Sequence, residues 1–118
     1  MWRIDETKIF QSWRTDLSIE TRQELVSVLY LLRRFGPRLG RPYADTVYGS
    51  KYRNMKELRF RVRKIRYRIF YVFNSGRTAV LVSGGVKNNK PNFYRSMIKK
   101  ADRIYSQYLD ENGAENGL

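Results

Sequence analysis

Residues 51–68, KYRNMKELRFRVRKIRYR, constrain the fold of this chain most, because charged and apolar residues alternate along them. Leu58, Phe60 and Val62 occupy every second position, and arginines stand between them. A period of two is typical of a β-strand with one buried face. The alternation resumes after residue 64, with Tyr67 and Ile69 on one side and arginines on the other. The pattern predicts two strands, at about 56–63 and 66–73, that carry a sheet of guanidinium groups above a hydrophobic floor.

The same stretch holds nine Lys or Arg residues and one acid, Glu57, in a chain of 118 residues with a net charge of +13. Such a surface suits a polyanion that is held through many phosphates. We expect nucleic acid rather than a membrane as the partner, because the charge lies in strand-like sequence and not on one face of an amphipathic helix. The alternative is a solvated face that keeps the protein soluble, although solubility seldom needs so strong an excess in one segment.

The composition excludes several kinds of site. The chain has no cysteine and no histidine, so it lacks a disulfide framework, a thiolate metal site and the commonest general base. We expect no metal and no cofactor, and any catalysis must use Lys, Arg, Tyr, Ser or carboxylates. No apolar run approaches the roughly 20 residues that span a bilayer, and the first residues, MWRIDETK, lack the core of a signal peptide. These features predict a soluble, cytoplasmic protein.

The residues before the alternating stretch predict a short edge strand at 2–5 and two helices that form a hairpin. The first helix is predicted at 6–14, and Ser18 has the side chain of an N-cap for the second. Gly36-Pro37 ends that helix. Residues 36–54 predict a long ordered connection, whose length makes a functional role or tight packing the expectation. Its Tyr43 and Tyr48 either stack on RNA bases or attach the loop to the domain.

The residues after it predict a turn at 74–77 and a strand at 78–83 that is apolar on both faces and therefore central or covered. The pair Gly84-Gly85 ends this strand, and Pro91 opens a last helix that continues to about Leu109. We expect one α+β domain over residues 1–110, with an N-terminal helical hairpin and a C-terminal helix packed on a small antiparallel sheet. Residues 111–118 are predicted to be a flexible acidic tail.

Four segments in this order, GRPYADT, GSKYRNMKELRFR, YRIFYVF and LVSGGVKNNKPNFYRSMIKKADRIY, resemble the RelE/HigB group of type II toxins. The resemblance extends from Lys8 to Leu109 and is greatest for the phage-derived, HigB-like branch. It implies a RelE-like fold and a ribosome-dependent mRNA endonuclease. It also implies a cognate antitoxin, which in the HigB branch is typically a helix-turn-helix, HigA-like protein.

The resemblance also implies site residues. Basic residues at alternate positions of the middle strands, followed by a Tyr-Arg pair, grip the mRNA in RelE-like toxins, and they match Arg59, Arg61 and Tyr67-Arg68 here. A basic residue after the last strand and a tyrosine early in the next helix match Lys87 or Lys90, and Tyr94. Arginine stands where RelE itself has lysine on the strand. The further basic residues that we expect to contact RNA are Arg41, Lys51, Arg53, Lys56, Arg63, Lys64 and Arg66.

RNA can be cut without a metal when its own 2′-OH attacks the adjacent phosphorus. Arg61 and Arg68 are the candidates for neutralising the phosphate, because a guanidinium can hold two oxygens. Arginine is a poor base, with an ordinary pKa above about 12. Lys87, Lys90 or Tyr94 can move a proton if neighbouring cations lower its pKa. Otherwise the lysines belong to an ordinary charged loop, and Tyr94 stacks on a base or lies in the core beside Ile98.

Two other functions remain open at this stage. A toxin of the same fold can poison DNA gyrase, as ParE does, because fold does not determine activity. A basic module of this kind can also bind RNA or DNA without cutting it, and its affinity would then depend steeply on salt. If the chain does cleave RNA, its weak acids and bases give weak catalysis alone, and most of the acceleration has to come from positioning, which the ribosome can supply.

Overall fold

The computed structural model describes residues 1–74 and 76–116, apart from the side chains of residues 113–116. Its elements agree with the predicted order and add one short strand. They are β1 (Arg3–Glu6), α1 (Lys8–Thr15), α2 (Ile19–Phe35), β2 (Ala44–Thr46), β3 (Met55–Val62), β4 (Ile65–Asn74), β5 (Thr78–Val86) and α3 (Phe93–Asn116), with a 3₁₀ turn at Gly36–Arg38 after α2. None of the helices in the described ranges is both long and apolar enough to cross a bilayer.

The five strands form one sheet in the order β1-β5-β4-β3-β2. Strands β2 to β5 pair antiparallel, as predicted, whereas β1 pairs parallel to β5. The predicted antiparallel sheet is therefore confirmed for β2 to β5, and β1 adds a parallel strand at one edge. A parallel neighbour requires a crossover rather than a tight turn, and the long excursion of the chain between β1 and β5 permits it.

Helices α1 and α2 cover one face of the sheet. Phe10, Leu25 and Leu32 are buried there against Leu58 and Ile69 of the middle strands. The predicted N-cap of α2 is confirmed, because the Ser18 hydroxyl accepts a hydrogen bond of 3.1 Å from the backbone N–H of Thr21. Helix α2 ends at Gly36, as predicted, where φ is +55°. The two helices thus form the expected hairpin on the sheet.

Helix α3 packs against the opposite face, but over only part of it. Ile98, Ala101 and Tyr105 lie in a second core with strand residues such as Phe70 and Val80. The other end of β3, which carries Arg61, is exposed on this face. The strand face beside the start of α3 is therefore open to a ligand.

Strand β5 continues through Gly84 and Gly85 to Val86, so the prediction that this glycine pair ends the strand is wrong. A Cβ atom on Gly84 would lie 2.5 Å from the indole ring of Trp13 on α1. On the opposite face, a Cβ atom on Gly85 would lie 3.0 Å from the terminal carbon of Met97 on α3. The glycines serve the close approach of one helix on each side, which is a tertiary reason that local sequence does not reveal.

Three further boundaries differ from the predictions. The long connection at 36–54 contains β2, which is too short at three residues to produce a periodic pattern. Helix α3 continues beyond Leu109 to Asn116, so the segment predicted to be a tail from residue 111 begins as helix, with the Asn112 side-chain amide bonded to the carbonyl of Tyr108. The predicted turn at 74–77 includes Ser75, and the predicted tail includes residues 117–118; these residues lie outside the described ranges.

Candidate nucleic-acid interface

The pairing register brings four of the predicted arginines together on the face that α3 partly covers. Arg59 lies directly opposite Arg68, and Arg61 lies directly opposite Arg66. Like charges in directly opposed positions destabilise a sheet, so this arrangement does not serve stability. We call these four arginines, together with Lys87 on the loop after β5, the basic face.

Arg59 and Arg61 keep their charges available. Within residues 1–74 and 76–116, the arginines that form ion pairs are Arg14, Arg41, Arg63 and Arg68. Arg66 donates a hydrogen bond of 2.7 Å to the side-chain oxygen of Asn89, a neutral partner. An arginine that forms no ion pair is free to bind a phosphate, and the basic face has three such arginines, Arg59 and Arg61 on β3 and Arg66 on β4.

Arg68 differs from the expectation of an accessible phosphate ligand. Its side chain is only 5% exposed, and its Nε atom lies 3.6 Å from the Oε1 atom of Glu57. A second guanidinium nitrogen donates to the backbone carbonyl of Tyr67 over 3.0 Å. The charge of Arg68 is therefore already balanced by Glu57 inside the protein. Arg68 is a buried residue beneath the site and not an exposed phosphate ligand.

Tyr94, the predicted tyrosine early in the last helix, lies directly above this ion pair. Its hydroxyl donates to Glu57 Oε1 over 2.8 Å and receives a long contact of 3.4 Å from Arg68 Nε. Burial raises the pKa of Tyr94, and the Glu57 carboxylate adds to this increase while Arg68 opposes it. The expectation that nearby cations lower the pKa of Tyr94 is wrong, because burial and the Glu57 carboxylate together outweigh the lowering effect of Arg68. The ring also packs edge-on against Phe70, so Tyr94 belongs to the core and to the site together.

Lys87 and Lys90, which the sequence left as alternatives, are placed differently. The ammonium group of Lys87 lies 5.4 Å from the ring centre of Tyr94 and 5.1 Å from that of Phe93. Burial lowers the pKa of Lys87, and the positive charges of Arg66 and Arg68 lower it further, as expected from its neighbours. Lys90 is exposed and lines a separate cleft with residues such as Ser96 and Lys100. Lys87 is thus the lysine that joins the basic face.

A cleft of about 390 Å³ opens beside the basic face, between β2, β3 and the start of α3. Glu57, Arg59 and Tyr94 form part of its wall. Arg41 lies at its margin and forms an ion pair of 2.6 Å with Asp45. Tyr48, also in the wall, is 83% exposed, so it does not attach the loop to the domain. Tyr94 thus borders both the basic face and the cleft.

The structure does not bring the remaining predicted RNA-binding residues onto this face. Lys56 shares the parity of Leu58 along β3 and so belongs to the opposite face. Arg63, in the turn between β3 and β4, donates to Glu20 at the start of α2 over 3.1 Å. The Lys51 ammonium group contacts Ser106 on α3 over 3.3 Å. Two more predicted cations are exposed in turns, namely Arg53 and Lys64.

Glu57 is the site residue for which the sequence suggested no role. It is 5% exposed and holds both Arg68 and Tyr94. The sequence did contain one indication of its role. Glu57 lies two residues before Arg59 on the same predicted strand face, and it is the one acid within a highly basic stretch. Its two partners lie on β4 and α3, and their approach depends on the register and on helix packing.

Comparison with known proteins assigns the sequence of this chain to a family. The family model described as phage-derived protein Gp49-like matches residues 12–106. HigB2 of Mycobacterium tuberculosis, named as a toxin, is 34% identical over 110 residues, which is 92% of this chain and 54% of HigB2. HigB3 of the same organism, also named as a toxin, is 35% identical over 100 residues, which is 84% of this chain and 86% of HigB3. The chain thus spans about half the length of the first of these relatives and most of the second.

The solved structures agree at the level of the fold. The isolated RelE toxin of E. coli superposes with a TM-score of 0.59 at 16% sequence identity, covering 85% of this chain and 98% of RelE. At this identity the similarity concerns the arrangement of helices and strands, whereas the family match rests on the sequence. The chain therefore belongs to the phage-derived Gp49-like family, is related to the HigB toxins, and has the fold of RelE.

Proposed function

We propose that this protein is the toxin of a type II toxin–antitoxin pair and that it cleaves mRNA on the ribosome by metal-independent attack of a 2′-OH. The observation that carries the proposal is a pair of arginines that form no ion pair in the described chain, Arg59 and Arg61, on the same face as Lys87 and Tyr94. A purely structural sheet face has no use for this combination.

The arginines of the basic face would hold the message. Arg59 and Arg61 lie two residues apart on one strand, a spacing of about 7 Å that approaches the separation of consecutive phosphates. Each planar guanidinium can bind two phosphate oxygens and stays charged at every working pH. Arg66, directly opposite Arg61, extends the positive surface to the next strand. The developing charge on the crowded phosphate would be stabilised by these fixed cations.

Lys87 would supply a proton to the leaving group. When the P–O5′ bond breaks, the 5′ oxygen takes up a proton, and the ammonium group of Lys87 is a better donor than an ordinary lysine because its pKa is lowered. The products are a 2′,3′-cyclic phosphate and a 5′-OH end. A single amine of this kind gives modest catalysis, so the ribosome would contribute by holding the message in line.

The proposed partners follow from the same surface. The basic face would bind mRNA in the decoding site of the ribosome, and a cognate antitoxin, by analogy with the HigB-type relatives a HigA-like helix-turn-helix protein, would neutralise the toxin. Such a pair acts in the cytoplasm, where the translating ribosomes are. The high positive charge of the chain supports association with ribosomes and with an acidic antitoxin segment.

The test is a short pulse of expression in cells followed by mapping of mRNA 5′ ends. The wild-type protein should stop growth and produce new 5′ ends at codon-linked positions. The double variant Arg59→Ala/Arg61→Ala should reduce cleavage by about 100-fold or more, since it removes two charge-assisted phosphate contacts of roughly 1.5–3 kcal/mol each. The matched control is Arg22→Ala/Arg33→Ala, which removes the same charge from exposed positions on α2 and should cleave normally.

Two outcomes would contradict the proposal. Growth arrest with intact mRNA and an inhibited gyrase would assign the chain to the ParE type of activity. Equal loss of cleavage in both double variants would mean that net charge, and not the basic face, governs the activity.

A further inference from the structure

The proposed cleavage requires a group that removes the 2′ proton, and the exposed residues of the basic face do not provide one. Arginine does not lose its proton in proteins. Lys87 is assigned to the leaving group, and one amine cannot donate and accept in the same step. The pKa of Tyr94 is raised, so its hydroxyl keeps its proton at neutral pH and is not a base by itself.

A carboxylate lies directly behind that hydroxyl. The Tyr94 hydroxyl donates to Glu57 Oε1 over 2.8 Å, which is a normal distance for a bond to an ionised acceptor. Glu57 is 5% exposed and Tyr94 is partly exposed, so Tyr94 is the more accessible member of the pair. Both residues line the neighbouring cleft. Arg68 Nε lies 3.6 Å from Glu57 Oε1 and forms an ion pair with this carboxylate.

We propose that Glu57 takes up the 2′ proton through Tyr94, so that a buried carboxylate and an accessible phenol act together as the base of the RNA cleavage proposed above. As the bond from the 2′ oxygen to phosphorus forms, the 2′-OH proton passes to the Tyr94 oxygen, and Tyr94 passes its own proton to Glu57 Oε1. The P–O5′ bond breaks, and Lys87 protonates the 5′ oxygen. Glu57 ends neutral and Lys87 ends uncharged, and exchange with water restores both.

Asp45, the other carboxylate in the wall of the cleft, is not equivalent. Its Oδ2 atom is bound by Arg41 over 2.6 Å, and its Oδ1 atom accepts from the backbone N–H of Thr46 over 2.8 Å. Arg41 foremost, and then the Thr46 N–H, lower the pKa of Asp45. Both oxygens are thus occupied by donors that are not hydroxyl groups of the basic face. Glu57 acts through Tyr94 and is in this sense a positioning residue, whereas Tyr94 touches the substrate.

The charged groups around the pair come from every element that packs on it. They are Arg41, Asp45, Arg59, Arg68, Lys87, Arg95, Lys99 and Asp102. The cations outnumber the acids in this set.

The experiment measures single-turnover cleavage of mRNA on programmed ribosomes for Glu57→Gln, Tyr94→Phe and the double variant. The amide of the Glu57→Gln variant still accepts the bond from Tyr94 but cannot take its proton, so the rate should fall by about 100-fold, a typical contribution of a general base. Affinity for a 2′-deoxy message analogue should change by less than about threefold, because the phosphate ligands of the basic face are untouched. The rise of the rate with pH on the acidic side should disappear in Glu57→Gln.

The double variant separates a relay from two independent contacts. If Glu57 and Tyr94 act as one unit, the double variant should be no slower than either single variant. The control Glu24→Gln removes the same charge from an exposed position on α2 and should cleave at the wild-type rate. Tyr94→Phe leaves the Glu57–Arg68 ion pair intact, so it carries the test if Glu57→Gln unfolds.

The failures are distinguishable. If the wild-type protein leaves mRNA intact on ribosomes, the proposed function and the relay fall together. If the wild-type protein cleaves and Glu57→Gln or Tyr94→Phe cleaves at the same rate with the same pH profile, only the relay is overturned. Multiplying losses in the double variant would also overturn it.

Discussion

The alternation of apolar and charged residues along β3 and β4 gives this strand pair two faces, which differ in how far helices cover them. On the α1–α2 face, Leu58 and Ile69 are fully buried and helices cover the strands. On the other face, α3 covers Met55 and Val72, and its cover ends before Arg61. The difference shows that the candidate site lies where the cover of α3 ends. On this half-covered face, a packed sheet carries two arginines, Arg59 and Arg61, that form no ion pair in the described chain.

The largest contrast is expected between two neighbours on β3 that point to opposite faces. Leu58→Ala removes a fully buried side chain from the α1–α2 core and should lower the free energy of unfolding by about 2–5 kcal/mol. Arg59→Ala changes a partly exposed residue that forms no ion pair within the described ranges, and should lower it by no more than about 0.5 kcal/mol. Urea unfolding followed by circular dichroism measures both values.

If Arg59→Ala lowered the free energy of unfolding as much as Leu58→Ala, the two faces would not differ in packing. That outcome would place Arg59 in the core. In the ribosomal cleavage assay, Arg59→Ala should lose activity although the variant remains folded.

The glycine pair of β5 offers a second contrast of intermediate size. Gly84→Ala places a methyl group 2.5 Å from the rigid indole of Trp13 and should cost about 1–3 kcal/mol, the usual range for an overpacked core. Gly85→Ala meets the flexible end of Met97 at 3.0 Å, which can move aside, so the cost should be clearly smaller. Thermal or urea unfolding of the two variants decides the point, and equal costs would mean that the α3 face is packed as rigidly as the α1–α2 face.

Much of this arrangement could be predicted from the sequence, because it depends on local patterns. The alternation at 56–63 and 66–73 locates β3 and β4 and assigns the arginines to one face. Ser18 and Gly36 mark the ends of α2 by their capping chemistry. These signals act between residues that are close in sequence, so no tertiary information is needed to interpret them.

The remainder depends on contacts between distant residues. The parallel pairing of β1 with β5 joins segments about 75 positions apart, and nothing in either segment specifies the partner. The charge of Arg68 is balanced by Glu57, which becomes its neighbour only through the β3–β4 register and the approach of α3. For the same reason the sequence suggested a lowered pKa for Tyr94, whereas burial raises it.

The smallest contrast concerns two cations of β3 on opposite faces and is measured as salt dependence. Arg61→Ala removes a phosphate ligand of the basic face, whereas Lys56→Ala removes an equal charge from the α1–α2 side. Binding of a 2′-O-methyl RNA, which lacks the attacking hydroxyl, is measured by fluorescence anisotropy at several salt concentrations. The slope of log K against log salt should become shallower by about 0.7 for Arg61→Ala, the value for one phosphate contact to a single strand, and should stay the same for Lys56→Ala. The pair of slopes is informative because net charge falls equally in the two variants. Equal changes would mean that RNA senses the total charge of the chain and not the face that carries it, and the distinction between the two faces would then apply to folding alone.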